Sequence, residues 1–153
     1  MTDELVELLD DEQILAVLAH ETGHQQGRHV MRSVLQDSAV ILIAAFFSGD
    51  VSSASAVVVA IPTFLMRSHY SRGFESEADE FAFAALEKAQ ISPRRFAEAM
   101  EKLEQQHELE QADGASRKDD EPADYLSTHP ATNLRIARAL QRAAVFETLA
   151  PAR

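Results

Sequence analysis

The hexapeptide Ala19-His20-Glu21-Thr22-Gly23-His24 constrains this chain more than any other stretch. It reads H-E-x-x-H inside an apolar-periodic run, Asp11 to Leu35, that predicts a helix. Imidazoles four residues apart stand on one helical face, about one turn from each other. That spacing suits two neutral His nitrogens on a single Zn²⁺, each at about 2.0–2.1 Å. Glu21, one residue on, can reach a water activated by the ion without ligating it. A catalytic zinc takes three protein ligands and keeps one position open, so a third ligand must come from elsewhere.

Composition narrows the setting. The chain has 153 residues and 46% hydrophobic content, enough for one domain with its own core. With 25 acidic against 14 basic residues the net charge is −11, which excludes a nucleic-acid surface. The absence of cysteine rules out disulfides and thiolate metal sites. Met1 is followed by Thr2-Asp3-Glu4, with no basic and apolar run of a signal peptide.

In chain order, Thr2 to Leu9 predicts a short helix with Leu5, Leu8 and Leu9 inward. Asp10 or Asp11 then caps the motif helix, whose buried face is expected to carry Ile14, Leu15, Val17, Leu18, Val30, Val34 and Leu35. Gly27 is the expected bend. Ala39–Phe47 and Ala54–Met66 are apolar, are separated by a Gly/Ser-rich turn, and are each too short to span a bilayer. They predict two buried helices or, alternatively, a hairpin over 39–66 that touches a membrane. Pro62 is expected to kink or restart the second half. Arg67 to Ala89 predicts a helix, and Ser92-Pro93 starts another with Phe96, Met100 and Leu103 in the core. Gln111 to Ala123 predicts a mobile loop. Tyr125 to Pro130 follows as a short loop, and Ala131 to Leu149 as a helix with Leu134, Ile136, Ala137, Leu140 and Phe146 inward. No strand pattern stands out, so the fold class is mainly α.

His29 fails as the third ligand. The spacing H-E-x-x-H-x-x-G-x-x-H would require His at residue 30, which is Val30, and on an unbroken helix His29 lies about 180° from His20. Glu75 and Asp79, at i and i+4, share a helical face. One of these carboxylates can bind the metal while the other accepts an N–H hydrogen bond from a ligating His. Glu77 points to another side and is expected to be solvated.

The ordered set His20-Glu21-x-x-His24, Tyr70-Ser71-Arg72 before Glu75-x-x-Ala78-Asp79, and Ser127-Thr128-His129-Pro130 before Arg135-Ile136 resembles the M48 family of zinc metallopeptidases. The resemblance implies one Zn²⁺ on His20, His24 and Glu75, with Glu21 as general base and acid. It implies that Asp79 supports a ligand and that His129 stabilises the oxyanion or occupies the open position in a latent state. Arg135 and Arg72 would brace the site through a carboxylate, or else form surface ion pairs. It further implies a zincin-like, gluzincin-type helical domain. The substrate-aligning strands of that family are not evident in the 19 residues before His20, as in a fragment of a longer chain.

The expected function is that of a zinc-dependent metalloendopeptidase acting on misfolded or membrane polypeptides in envelope quality control. By resemblance the expected location is bacterial, membrane-associated or periplasmic. The alternatives are a zinc-bound but inactive, chaperone-like binding module and a structural helical domain.

Overall fold

The computed structural model describes residues 3–48, 56–112, 125–126, 129–130 and 133–149. Six helices are described: α1 (Asp3–Leu8), α2 (Asp11–Gln26), α3 (His29–Ser48), α4 (Ala56–Lys88), α5 (Arg94–Ala112) and α6 (Asn133–Leu149). There is no strand among the described residues, and the fold is mainly helical as expected.

Local chemistry sets the helix ends. Asp10 caps α2 by accepting from Gln13 N at 2.9 Å, while the Gln13 side chain accepts from Asp10 N at 3.1 Å. This reciprocal box satisfies two otherwise orphaned backbone donors. At the end of α4, Gln90 takes a positive φ of 61°, Ile91 N donates to Leu86 O at 2.9 Å and Gln90 N to Glu87 O at 3.0 Å. That pair of bonds is a Schellman closure made without glycine. Ser92 Oγ accepts from Arg94 N at 3.3 Å and starts α5 behind Pro93.

The core lies between α1, α2, α4, α5 and α6, around Leu5, Val17, Phe83, Leu86, Phe96, Met100, Leu103, Ile136 and Ala139. Phe83 and Phe96 meet edge to face at 5.4 Å between centroids, an arrangement favoured by the ring quadrupoles. Phe96, Met100 and Leu103 are buried as predicted.

Several expectations change. The run from Asp11 to Leu35 is two helices, broken at Gly27-Arg28, where Arg28 has φ 51°. The buried stripe of α2 is Gln13, Ala16, Val17, His20 and Gly23, so Leu15 and Leu18 face outward. Beyond the break, Val30, Val34 and Leu35 are exposed on α3. α4 runs as one helix through Pro62, without the expected restart. A proline deletes one hydrogen bond, and a 33-residue helix keeps the rest of its ladder. In α6, Arg135 takes a buried place beside Ile136, Ala139 and Ala143, which turns Leu134 and Ala137 to solvent. Gln111 and Ala112 close α5, and the rest of the predicted loop lies outside the described residues, as does the turn expected after Ser48.

Candidate metal centre

α2 packs closely against α4, and this crossing carries the site. His20 and His24 point from α2 toward Glu75 on α4. The two Nε2 atoms are 3.0 Å apart, His20 Nε2 is 3.4 Å from Glu75 Oε2, and His24 Nε2 is 3.2 Å from Glu75 Oε1. His129 joins them from the segment before α6, with Nδ1 3.0 Å from Glu75 Oε1 and Nε2 3.6 Å from Glu21 Oε1. Ligating atoms of His20, His24, Glu75 and His129 all lie within 4.8 Å of one another.

Behind this group stands Asp79. His20 Nδ1 is 3.0 Å from Asp79 Oδ1, and Arg135 grips the same carboxylate twice, Nη2 to Oδ1 at 2.7 Å and Nε to Oδ2 at 2.8 Å. Arg135 also donates to Pro130 O at 2.9 Å, which ties the His129 segment to α6. The bond from His129 N to Tyr125 O at 2.9 Å anchors that segment at its other end. Arg72, three residues before Glu75 and roughly 60° round the helix, is exposed and takes part in none of these hydrogen bonds or ion pairs among the described residues.

The electrostatics follow from burial and pairing. Burial opposes charge on His20, but the neighbouring carboxylates of Asp79 and Glu75 outweigh it and raise its pKa. Burial also opposes charge on Glu75, yet the His129, His20 and His24 rings packed against it and the Arg135 guanidinium hold its carboxyl far below the usual range. Asp79 is likewise depressed, burial being overcome by His20 and Arg135. Burial, with Glu21 close by, raises the Tyr125 phenol well above its ordinary value.

The donor set fits a metal ion. An ionised Asp79 only accepts, so His20 must donate from Nδ1, which leaves its Nε2 lone pair facing the centre. That lone pair meets His24 Nε2 and a Glu75 oxygen, Oε2, that receives no hydrogen bond, although the Arg135 guanidinium stands 3.0 Å away. Two imidazole nitrogens and a carboxylate pointing at one spot are what a divalent cation with N and O ligands requires.

Two features depart from the sequence expectation. His29 is buried, and its Nδ1 lies 2.9 Å from His24 Nδ1, because the break after Gln26 turns it back toward α2. Glu77 is not simply solvated: it accepts from Arg32 at 2.6 and 3.2 Å and lies 3.3 Å from His29 Nε2. Periodicity on one continuous helix hides both contacts, and the Gly27-Arg28 pair was the available signal.

The model of peptidase family M48 matches residues 1–143. The chain is 34% identical over 123 residues to the metalloprotease LoiP of Escherichia coli (strain K12), covering 78% of this chain and 48% of that protein. It is 27% identical over 127 residues to the mitochondrial metalloendopeptidase OMA1 of Saccharomyces cerevisiae, covering 83% of this chain and 35% of that one. With the CAAX prenyl protease 1 homolog of Dictyostelium discoideum it shares 33% identity over 105 residues, 52% of this chain and 25% of that one. The chain thus spans about half the length of these relatives, or less. No solved structure matches it. With nearly the whole chain matched and its His and Glu side chains gathered at one point, the chain belongs to peptidase family M48.

Proposed function

We propose that residues 1–153 form one M48-type domain carrying the catalytic centre of a zinc-dependent endopeptidase, with one Zn²⁺ held by His20, His24 and Glu75. The observation that carries this reading is the convergence of those three side chains, with Nε2 atoms 3.0 Å apart and Glu75 oxygens at 3.2 and 3.4 Å. Zinc bound there would polarise a peptide carbonyl and allow a water to lose its proton near neutral pH. The chain's own residues do the rest. Glu21, partly exposed beside the cluster, takes the proton from the attacking water and returns it to the leaving amine. His129 stands on the same side and donates to the oxyanion as the carbonyl becomes tetrahedral. Asp79 orients His20, and Arg135 holds Asp79 in place.

The substrates are polypeptides, and the setting that best suits the chain is membrane or envelope protein quality control. Its support is the exposed apolar row Val30, Met31, Val34, Leu35 and Leu42 on α3, within and just ahead of the 39–66 region. No helix among the described residues is long and apolar enough to cross a membrane.

Glu21→Gln tests the assignment. The variant should keep one zinc per chain, by elemental analysis, and lose hydrolysis of unfolded casein. A Glu21→Gln protein that still cuts casein overturns the role given to Glu21. Wild-type chain that binds zinc but cuts nothing, with or without chelator, favours the binding-module alternative instead.

A further inference from the structure

We propose that His29 and Glu77 form a positioning relay that holds His24 in the tautomer presenting Nε2 to the metal. The inference rests on the zinc reading above and assigns two residues to which that reading gives no part.

The relay is read from its outer end. Glu77 already accepts two bonds from Arg32, at 2.6 and 3.2 Å, and an ionised carboxylate only accepts. His29 Nε2, 3.3 Å from Glu77 Oε2, therefore carries the proton of that contact. In the neutral ring this leaves His29 Nδ1 as the acceptor. Its partner at 2.9 Å, His24 Nδ1, must then donate, and the lone pair of His24 stands on Nε2. That is the atom aimed at His20 Nε2 and Glu75. The same outcome is reached for His20 by one step, its Nδ1 donating to Asp79. Each zinc-binding imidazole thus has its own carboxylate-ended support, one direct and one through a second histidine.

Packing shows that the position of His29 is built rather than incidental. Its ring stacks on Phe74, the residue before Glu75, at 4.6 Å and 15°. Arg32 covers the Phe74 ring at 4.6 Å from its centroid. Gly27 makes the return possible, because a Cβ there would overlap the His29 ring, with Cδ2 2.6 Å away.

The test measures Zn²⁺ affinity of the chain by competition with a chromophoric chelator, independently of proteolysis. Wild type should bind one zinc, and His24→Ala should lose the site. His29→Phe keeps a ring against Phe74 but has no acceptor, and a folded His29→Phe should bind zinc about 10–100-fold more weakly. His29→Gln, whose side-chain carbonyl can accept from His24, should bind more tightly than His29→Phe. If His29→Phe fails to fold by circular dichroism, Glu77→Ala, at a half-exposed residue, takes its place and should also weaken zinc binding. Imidazole ¹⁵N–¹H spectra of the zinc-loaded wild type should show His24 protonated on Nδ1. A folded His29→Phe or, in its place, Glu77→Ala that binds zinc as tightly as wild type overturns the relay, as does a His24 proton on Nε2. If wild type takes up no zinc, the proposed function falls with it. If wild type binds zinc and only the relay variants fail to weaken it, the relay alone falls.

Discussion

Gly23 of α2 lies against Ala78 of α4 so closely that a Cβ on Gly23 would come 2.8 Å from Ala78 Cα, 2.9 Å from its carbonyl oxygen and 3.2 Å from its Cβ. The two nearest neighbours are backbone atoms, which cannot swing aside. Gly23 stands between the two histidines of the motif in sequence, and Ala78 stands between Glu75 and Asp79. The absence of a side chain at one and the small one at the other set the distance across which His20 and His24 reach the carboxylates.

Gly23→Ala should therefore destabilise the chain, although alanine is the better helix former by about 1 kcal/mol. Forcing the two backbones apart should cost about 1–3 kcal/mol and outweigh that gain. Gly73, also in α4, has nothing within 4 Å of a built Cβ, so Gly73→Ala should stabilise by about 0.5–1 kcal/mol. Thermal unfolding of both variants checks the contrast, and zinc uptake should fall only in Gly23→Ala. Opposite behaviour of the two glycines cannot come from propensity alone.

Metal binding should raise stability by mass action. At a free zinc concentration about 100-fold above Kd the gain is about 2.7 kcal/mol, a rise of roughly 5–10 °C in Tm for a domain of this size. A chelator should reverse it, and His24→Ala should abolish it. Differential scanning calorimetry with and without Zn²⁺ reads the shift directly. A zinc-dependent Tm that survives in His24→Ala would place the ion elsewhere.

Glu87 and Arg142 join α4 to α6 through two bonds, Nε to Oε1 at 2.6 Å and Nη2 to Oε2 at 3.0 Å. The hydrogen bonds from Arg142 lower the Glu87 pKa below its ordinary value, against a smaller opposing effect of burial. A carboxyl depressed in the folded state stabilises above its unfolded pKa and ceases to as pH falls through the folded one. The gap in stability between wild type and Glu87→Gln should thus be widest at neutral pH and smaller at about pH 3, below the unfolded pKa. Because both side chains are partly exposed, the gap should not exceed about 1 kcal/mol. Urea unfolding at the two pH values measures it.

The site was more legible in the sequence than the faces of the helices that build it. His20, His24, Glu75 and Asp79 sit at i and i+4 spacings, which geometry converts directly into shared faces. The burial of α2 and α6 was misjudged for one reason in both. In α2 the stripe Gln13, Ala16, Val17, His20 and Gly23 goes inward because the histidine must meet Glu75, which leaves Leu15 and Leu18 outside. In α6 the inward place of Arg135 on Asp79 turns Leu134 out in the same way. Hydropathy buries leucines before arginines and histidines, and a buried polar centre inverts that order. His29 was hidden by a different cause, the left-handed residue Arg28, which ends the helical count on which its angular position was reckoned. The contacts of Glu77 were missed because its partners His29 and Arg32 lie beyond that break.

Arg135 provides the sharpest test of that inverted burial. Its guanidinium is nearly enclosed, is bonded twice to Asp79, lies 3.0 Å from Glu75 and stands over the Phe96 ring at 5.5 Å from the centroid. Burial opposes its charge, but Asp79 outweighs that and raises its pKa, so it stays a cation throughout the accessible range. Arg135→Met preserves much of the volume and removes the charge, leaving Asp79 and Glu75 as buried carboxylates without their cation. Breaking a buried pair on one side costs about 3–5 kcal/mol, and that loss should appear in unfolding of the metal-free chain. Arg135→Lys should recover only part of it, because an ammonium cannot hold both Asp79 oxygens in the plane that Arg135 occupies. Bound zinc supplies positive charge beside Glu75, so the penalty of Arg135→Met should be smaller with zinc than without it. A penalty that is the same in both states would mean that Arg135 acts on the fold alone and not on the carboxylates of the candidate metal centre.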